Sequence, residues 1–186
     1  MSIETIESNR LCLYPMTDKD YNLYSKLYTD EYLTRHTGGA LDSQKAKRSF
    51  DLSLRSNSNT NFSRYTWTVN FKPSASNVGV CALVLSKKKP RTADIGTILT
   101  KESHGQKIAT ESLLALMTFG FEKLDLNVIG GYSFFQNKIS VKLMTSLGFH
   151  CTARTEGKLK GNFWTMNHAE WNIHKHTVQV NELQID

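Results

Sequence analysis

The chain contains no apolar run approaching the ~20 residues needed to cross a bilayer, and its polar start, Met1-Ser2-Ile3-Glu4, lacks the pattern of a secretory signal. A cytoplasmic protein with no membrane partner is the expectation. Cysteine is scarce. Cys12, Cys81 and Cys151 are odd in number, far apart and set in apolar strand-like runs, so they read as reduced core residues, with neither a disulfide framework nor a metal site. His174-x-His176 has no third spaced ligand, which leaves no metal expected there either. There is no Walker Gly-Lys-Ser/Thr, no Gly-x-Ser-x-Gly elbow and no Cys-x-x-Cys. Internal repeats are absent and the polar segments are short, which argues against a solenoid or a disordered adaptor. The single dense basic run, Lys87-Lys88-Lys89-Pro90-Arg91, has no aromatic residues among its cations and lies between two strand-like runs. It reads as a solvated hairpin loop, and no direct nucleic-acid contact is expected.

What remains is a chain of 186 residues with 39% apolar content, enough for one sizeable core and cramped for two, so residues 1–186 are expected to form a single domain. The formal charge of +6 calls for an anionic partner and disfavours a polycationic substrate. Apolar spacing predicts helices over Asp18 to Tyr28 and Ser43 to Leu54, with a polar break at Ser56 to Asn61. Strand-like runs follow at Tyr65 to Phe71, Val78 to Ser86 and Ala93 to Thr100, separated by Lys72 to Asn77 and by the basic loop, which suggests an antiparallel meander. A helix from Ile108 to Leu124 is apolar over much of its girth and should pack on that sheet. Asn127 to Phe134, Phe149 to Thr155 and Phe163 to Trp171 supply further strands, the last two around a turn at Gly157 to Gly161, and the tail after Ile173 reads as peripheral. The fold class is α/β (α+β).

The most informative stretch is His104-Gly105-Gln106-Lys107-Ile108-Ala109-Thr110-Glu111, between an apolar strand and the long apolar helix. A Gly-containing turn that opens a helix aims unpaired backbone N–H groups and the positive end of the helix dipole at one point, which suits a pyrophosphate. Downstream come the strand ending at Phe134, then Gln136-Asn137-Lys138-Ile139-Ser140, an apolar helix through Leu143 and Met144, and Ser146-Leu147-Gly148-Phe149.

That ordered set resembles the GNAT superfamily of acetyl-CoA-dependent N-acetyltransferases, and within it the branch that acetylates N-terminal amines of ribosomal proteins. Arg10 to Asp20 looks like that branch's first strand and acidic helix start, and Ala93 to Leu99 is similar to its central strand. The likeness spans roughly residues 8 to 172, with family-specific motifs confined to about 93 to 149. It implies a mixed, mostly antiparallel sheet flanked by helices and splayed at the cofactor site. It also implies acetyl-CoA as co-substrate without a metal, and an acceptor that is a primary amine, either a small molecule or a protein N-terminus, with a monomeric or homodimeric protein. In the family's pattern Ile98, Leu99 and Thr100 would offer main-chain hydrogen bonds to the pantetheine arm, and His104, Gly105, Gln106, Lys107, Ile108 and Ala109 would take the pyrophosphate. Asn137 would bond the cofactor near its pantetheine, and Ser140 would protonate or stabilise the leaving thiolate. Helix capping is the competing role for Ser140.

Two departures stand out. Lys107 replaces the most characteristic Gly of the family loop, and its ammonium either adds a phosphate contact or obstructs the close approach of backbone to cofactor. Met144 falls where some members carry a catalytic Tyr. The Lys107 departure keeps open a second reading, a catalytically silent GNAT-fold protein that binds coenzyme A or a partner. Asp94, Glu102 and Glu156 are the carboxylates available as a general base, Tyr132 is a candidate substrate contact, and the loop Thr34 to Leu41 with His36 falls where acceptor pockets are built.

Overall fold

The computed structural model describes residues 3–58, 64–155 and 160–183, and the side chains of residues 154, 155 and 176–183 are outside that description. Its eight strands are β1 (Ile6–Glu7), β2 (Leu11–Pro15), β3 (Arg64–Phe71), β4 (Ser76–Leu85), β5 (Thr92–Leu99), β6 (Val128–Phe134), β7 (His150–Thr155) and β8 (Gly161–Asn167). They form one sheet in the order β1-β2-β3-β4-β5-β6-β8-β7. Every pairing is antiparallel except β5 with β6. The six helices are α1 (Tyr21–Thr29), α2 (Glu31–Thr34), α3 (Ser43–Asn57), α4 (Ile108–Thr118), α5 (Lys138–Ser146) and α6 (His168–Leu183). A mixed sheet flanked by helices is what the sequence leads one to expect. None of the helices among the described residues is long and apolar enough to cross a membrane.

Helices α1 and α3 cover one face of the sheet, because Tyr24, Leu27 and Phe50 fall on stripes of three- and four-residue spacing and meet Met16 and Val80. Helix α4 lies on the other face, where Leu113, Leu116 and Met117 pack with Leu11, Trp67, Leu83 and Ile129. Fully burying each of these side chains contributes about 1.5–3 kcal/mol. The expected helix to Leu124 holds in part: regular α-helix ends at Thr118 and a π-turn carries Phe119–Lys123. Asn57 closes α3 one turn later than expected, because its side-chain amide pairs with the Thr66 peptide, donating to the carbonyl at 2.8 Å and accepting from the N–H at 3.0 Å.

The chain's last third departs most from the sequence reading. The strand expected to run to Trp171 stops at Asn167, and α6 begins at His168. Asn167 Oδ1 accepts the Glu170 N–H at 2.9 Å while Glu170 Oε2 accepts the Asn167 N–H at 2.8 Å. This reciprocal pair satisfies donors that a helix start otherwise leaves orphaned. Trp171 is then 2% exposed and stacks on Phe121, so the first turn of α6 is part of the core. The turn expected at Gly157 to Gly161 lies largely outside the described residues, as does most of the break after Asn57.

One buried ionic knot joins the two ends of this layout. Glu111, in the first turn of α4 and 5% exposed, accepts hydrogen bonds from Ser8 Oγ at 2.7 Å, the Arg10 N–H at 2.7 Å and Arg10 Nε at 2.8 Å. It ties the β1–β2 turn to the helix start that follows the loop Thr100 to Lys107, the cradle loop. Removing the carboxylate strands those donors, so Glu111→Ala is expected to cost about 2–4 kcal/mol. A denaturant midpoint unchanged from wild type would refute that.

Candidate active site

The registers decide where the sheet opens. β5 pairs with β4 along seven positions, Ala93↔Leu85 through Leu99↔Gly79, but with β6 only at Thr92↔Val128, Ala93↔Ile129 and Asp94↔Gly130. Beyond Asp94 the two strands part. Thr100 N–H donates to Val78 O and Ser86 N–H to Thr92 O, both at 2.8 Å, which sets the even-numbered residues of β5 as those whose peptide groups point at β4. The carbonyl of Ile95 and the peptide groups of Thr97 and Leu99 therefore point into the opening. This corrects the expectation for Ile98 and Thr100. The Ile98 peptide groups and the Thr100 N–H belong to the β4 ladder, the Thr100 carbonyl accepts the Ser103 N–H at 3.1 Å, and only Leu99 of the expected three faces the gap.

At the end of β5 the chain turns through the cradle loop into α4. Thr100 Oγ1 and Ser103 Oγ share a buried hydrogen bond of 2.8 Å, His104 Nε2 lies 3.3 Å from Leu99 O, and Gln106 Nε2 donates to Glu102 O at 2.7 Å. The His104 and Gln106 side chains thus brace the loop on itself. Among the described residues, the N–H groups of Gly105, Gln106, Lys107, Ile108, Ala109 and Thr110 have no acceptor in the chain. Gly105 has φ +78° with open space where a Cβ would stand, and Lys107 caps α4 at φ 59°, ψ 11°. Lys107 therefore adopts the left-handed backbone that a glycine takes with less strain, and the turn keeps its shape. A row of unpaired donors at a helix N-terminus fits a pyrophosphate.

The other arm of the opening has its own helix start. β6 runs to Phe134, and three residues later Asn137 caps α5, its Oδ1 accepting the Ser140 N–H at 3.1 Å. Capping is thus the work of Asn137, which leaves its Nδ2 as the group able to reach a ligand. Ser140 is half-buried and its hydroxyl has no partner in the chain. It stands one helical turn before Met144, on the same stripe. Met144 is 5% exposed and rests against β6, with its Cε 3.0 Å from the place a Cβ on Gly131 would occupy. Met144 is therefore packing, and Ser140 is carried toward the open end of the same arm.

Of the carboxylates considered as bases, Asp94 sits at the fork itself, where a Cβ on Gly130 would lie 2.8 Å from its Oδ1. The residue is open to the cleft, yet desolvation on the strand side raises its carboxyl pKa, opposed by the nearby Lys89 charge. Glu102 behaves in the opposite way: hydrogen bonds from its own N–H and from Thr100 hold its carboxylate below the usual range. It is a poor proton acceptor. Glu156 lies outside the described residues. Near the acceptor-side loop, Lys101 Nζ pairs with Asp30 Oδ2 at 2.8 Å, tying the α1–α2 turn to the cradle loop. His36 is half-exposed in that loop. No cluster of three His, Cys, Asp or Glu among the described residues is placed to hold a metal.

The GNAT acetyltransferase domain model matches residues 10–150, which contain β5, the cradle loop, β6 and the start of α5. The chain belongs to the GNAT acetyltransferase family. Within it, the chain is 26% identical over 153 residues to the uncharacterized N-acetyltransferase p20 of Bacillus licheniformis, covering 79% of this chain and 83% of that one. The fold is also that of an acetyltransferase from Agrobacterium tumefaciens, with TM-score 0.77 at 19% identity over 90% of this chain and 96% of the other. The spermidine N-acetyltransferase of Vibrio cholerae, solved with CoA and spermine, has TM-score 0.76 at 14% identity, over 89% and 99% of the two chains.

Sequence reading missed the role of strand parity in this GNAT site. The alternation of Ala93, Ile95 and Leu99 as buried residues was visible, but which peptide edge faces the gap depends on the β4 register.

Two substitutions test this arrangement. A non-glycine residue in the left-handed region costs roughly 1–2 kcal/mol, partly offset because glycine adds freedom to the unfolded chain. Lys107→Gly is accordingly expected to stabilise the protein by about 0.5–1 kcal/mol, and a lower melting temperature would contradict the backbone argument. For Asp94 the raised folded pKa means the native state holds its proton more tightly than the unfolded chain. The associated stability is complete below the unfolded value of about 3.9 and is lost as pH rises through the folded value. Asp94→Asn should therefore raise the melting temperature at pH 7 relative to wild type, with the gain shrinking toward pH 3. A gain independent of pH would show that desolvation of the carboxylate is not the cause.

Proposed function

We propose that this GNAT protein transfers an acetyl group from acetyl-CoA to a primary amine, which a protein N-terminus would supply as readily as a small molecule, by direct attack in a ternary complex. The observation that carries the reading is the pairing of two features on one side of the sheet. A strand edge with unpaired peptide groups leads into a loop with unpaired N–H groups, as a pantetheine arm followed by a pyrophosphate requires. The CoA bound by the Vibrio cholerae neighbour supports the choice of ligand.

When bound, acetyl-CoA supplies a thioester carbonyl and a thiolate leaving group. The Thr97 peptide group, the Leu99 N–H and the Ile95 carbonyl hold the pantetheine amides, while Gly105 to Ala109 hold the pyrophosphate with N–H groups and the α4 dipole. Lys107, exposed beside that row, adds a cation at the phosphates. Asn137 Nδ2 donates to the arm from the opposite side. Asp94, with its raised pKa, receives the amine proton directly or through a water as the nitrogen bonds to the carbonyl carbon. The Ser140 hydroxyl gives its proton to the sulfur as the C–S bond breaks, and solvent at the half-buried site restores it. Holding both reactants in line supplies the larger part of the acceleration, and proton transfer adds about 10²–10⁴-fold. The feature that suggested a silent protein, Lys107, retains the loop backbone that ligand binding needs.

Acetyl-CoA is expected to raise the melting temperature by mass action, and Ser140→Ala to lower kcat while leaving acetyl-CoA affinity within twofold, since its bond develops in the transition state. Calorimetric titration with acetyl-CoA and a thiol-release assay on the same preparation check both. Wild-type turnover in the variant would remove Ser140 from the chemistry, and a flat melting curve at millimolar acetyl-CoA would remove the cofactor assignment.

A further inference from the structure

The parity that aims β5 into the gap also sorts the side chains of the neighbouring strands. Because Asp94 pairs with Gly130, and Tyr132 with Phe163, the residues Asp94, Gly130, Tyr132, Phe134 and Phe163 share one face of the sheet. It is the face that α1 and α3 cover over β3 and β4, and opposite to the one that α4 and α6 pack on. On β6 and β8 this face carries rings in place of a helix. Tyr132 meets Phe134 edge-on, with centroids 5.2 Å apart, and Phe163 at a tilt, 5.0 Å apart. Phe163 is 43% exposed. The Tyr132 ring lies over Gly161, where a Cβ would fall 2.3 Å from its hydroxyl oxygen.

Three rings grouped on an open face beside a carboxylate have a definite ligand preference. The ring faces attract a cation and take up apolar area, and Asp94 supplies a negative charge beside them. Among the described residues, the positions of β5, β6 and β8 that share this face carry no second carboxylate. A polyamine, with several charges to satisfy, is poorly matched to one carboxylate with Lys89 nearby. Asp94 lies on this face at the last β5–β6 pair, so an amine seated on the rings is on the same face as the proton acceptor.

We propose that Tyr132, Phe134 and Phe163 form the acceptor platform, and that the acceptor is a monovalent primary amine attached to an apolar or aromatic group. The proposal rests on the acetyl-transfer reading of the same site.

The test is a thiol-release assay with acetyl-CoA and three amines, 2-phenylethylamine, ethylamine and spermidine, on wild type, Phe163→Ala and Phe163→Tyr, with the acetyl-CoA melting shift measured in parallel. Wild type should favour 2-phenylethylamine over ethylamine and over spermidine by roughly tenfold or more in kcat/KM. Phe163→Ala should lose about five- to tenfold of that through the amine KM with the acetyl-CoA KM unchanged, and Phe163→Tyr should retain it. Phe163 is exposed enough that its removal leaves the fold intact, which the melting temperature verifies. Equal rates with ethylamine, a preference for spermidine, or an unaltered amine KM in Phe163→Ala would overturn the platform while leaving the transferase reading standing. Absence of both the melting shift and thiol release with every amine would overturn the transferase reading, and the platform with it.

Discussion

Peptide groups on a strand edge inside a protein must find hydrogen-bond partners, and those of β5 on the side away from β4 lose theirs when β6 turns off after Gly130. The Ile95 carbonyl, the Thr97 peptide and the Leu99 N–H are left facing a gap. Closing the sheet would satisfy them and abolish the site. What holds it open is the difference between two sets of partners: β5 remains paired with β4 to its end, and β6 remains paired with β8 over all seven of its residues. Each arm then leads into its own helix. Both helix starts, the Lys107 cap of α4 and the Asn137 cap of α5, come to the mouth of the same opening.

The supporting structure is disposed around that gap. Met144 packs onto Gly131, its Cε 3.0 Å from where a Cβ at 131 would stand, so one arm of the fork is seated by α5. On the other arm, the Arg10–Glu111 pair fixes the first turn of α4 and offsets a carboxylate that would otherwise sit uncompensated near the helix N-terminus. The loop between them is held by its own side chains, Thr100 to Ser103, His104 to Leu99 and Gln106 to Glu102. Its N–H groups are therefore preorganised and do not have to be ordered by the ligand. In the proposed reading the two faces of the fork divide the labour, cofactor on the α4 side and acceptor on the ring-bearing side, with Asp94 at the point where β5 and β6 part.

Much of this was legible in the residues. His104 to Glu111 between a strand and an apolar helix announces a helix N-terminus with one obligatory glycine-like turn, and Asn137 three residues before Ser140 announces another. The core strands and helices follow from their periodicity. The start of α6 was legible too, in Asn167-His168-Ala169-Glu170, but a strand-like run of Phe163, Trp164 and Met166 leading into it masked the capping pair. Lys107 shows the opposite case, a residue whose type argues against a left-handed turn and whose surroundings impose one.

By itself the sequence determined the order of elements, the two helix starts and the residue types available at each, because these depend on local periodicity and on capping chemistry. Only the tertiary structure decided which peptide edge of β5 is free, that Ser140 is not a cap, and that Asp94 rather than Glu102 is the carboxylate with a raised pKa. It alone placed Tyr132, Phe134 and Phe163 on one face with Asp94. The reason is physical: strand register, desolvation and shared faces are relations between segments far apart in the chain, and a one-residue shift in pairing would reverse each of them.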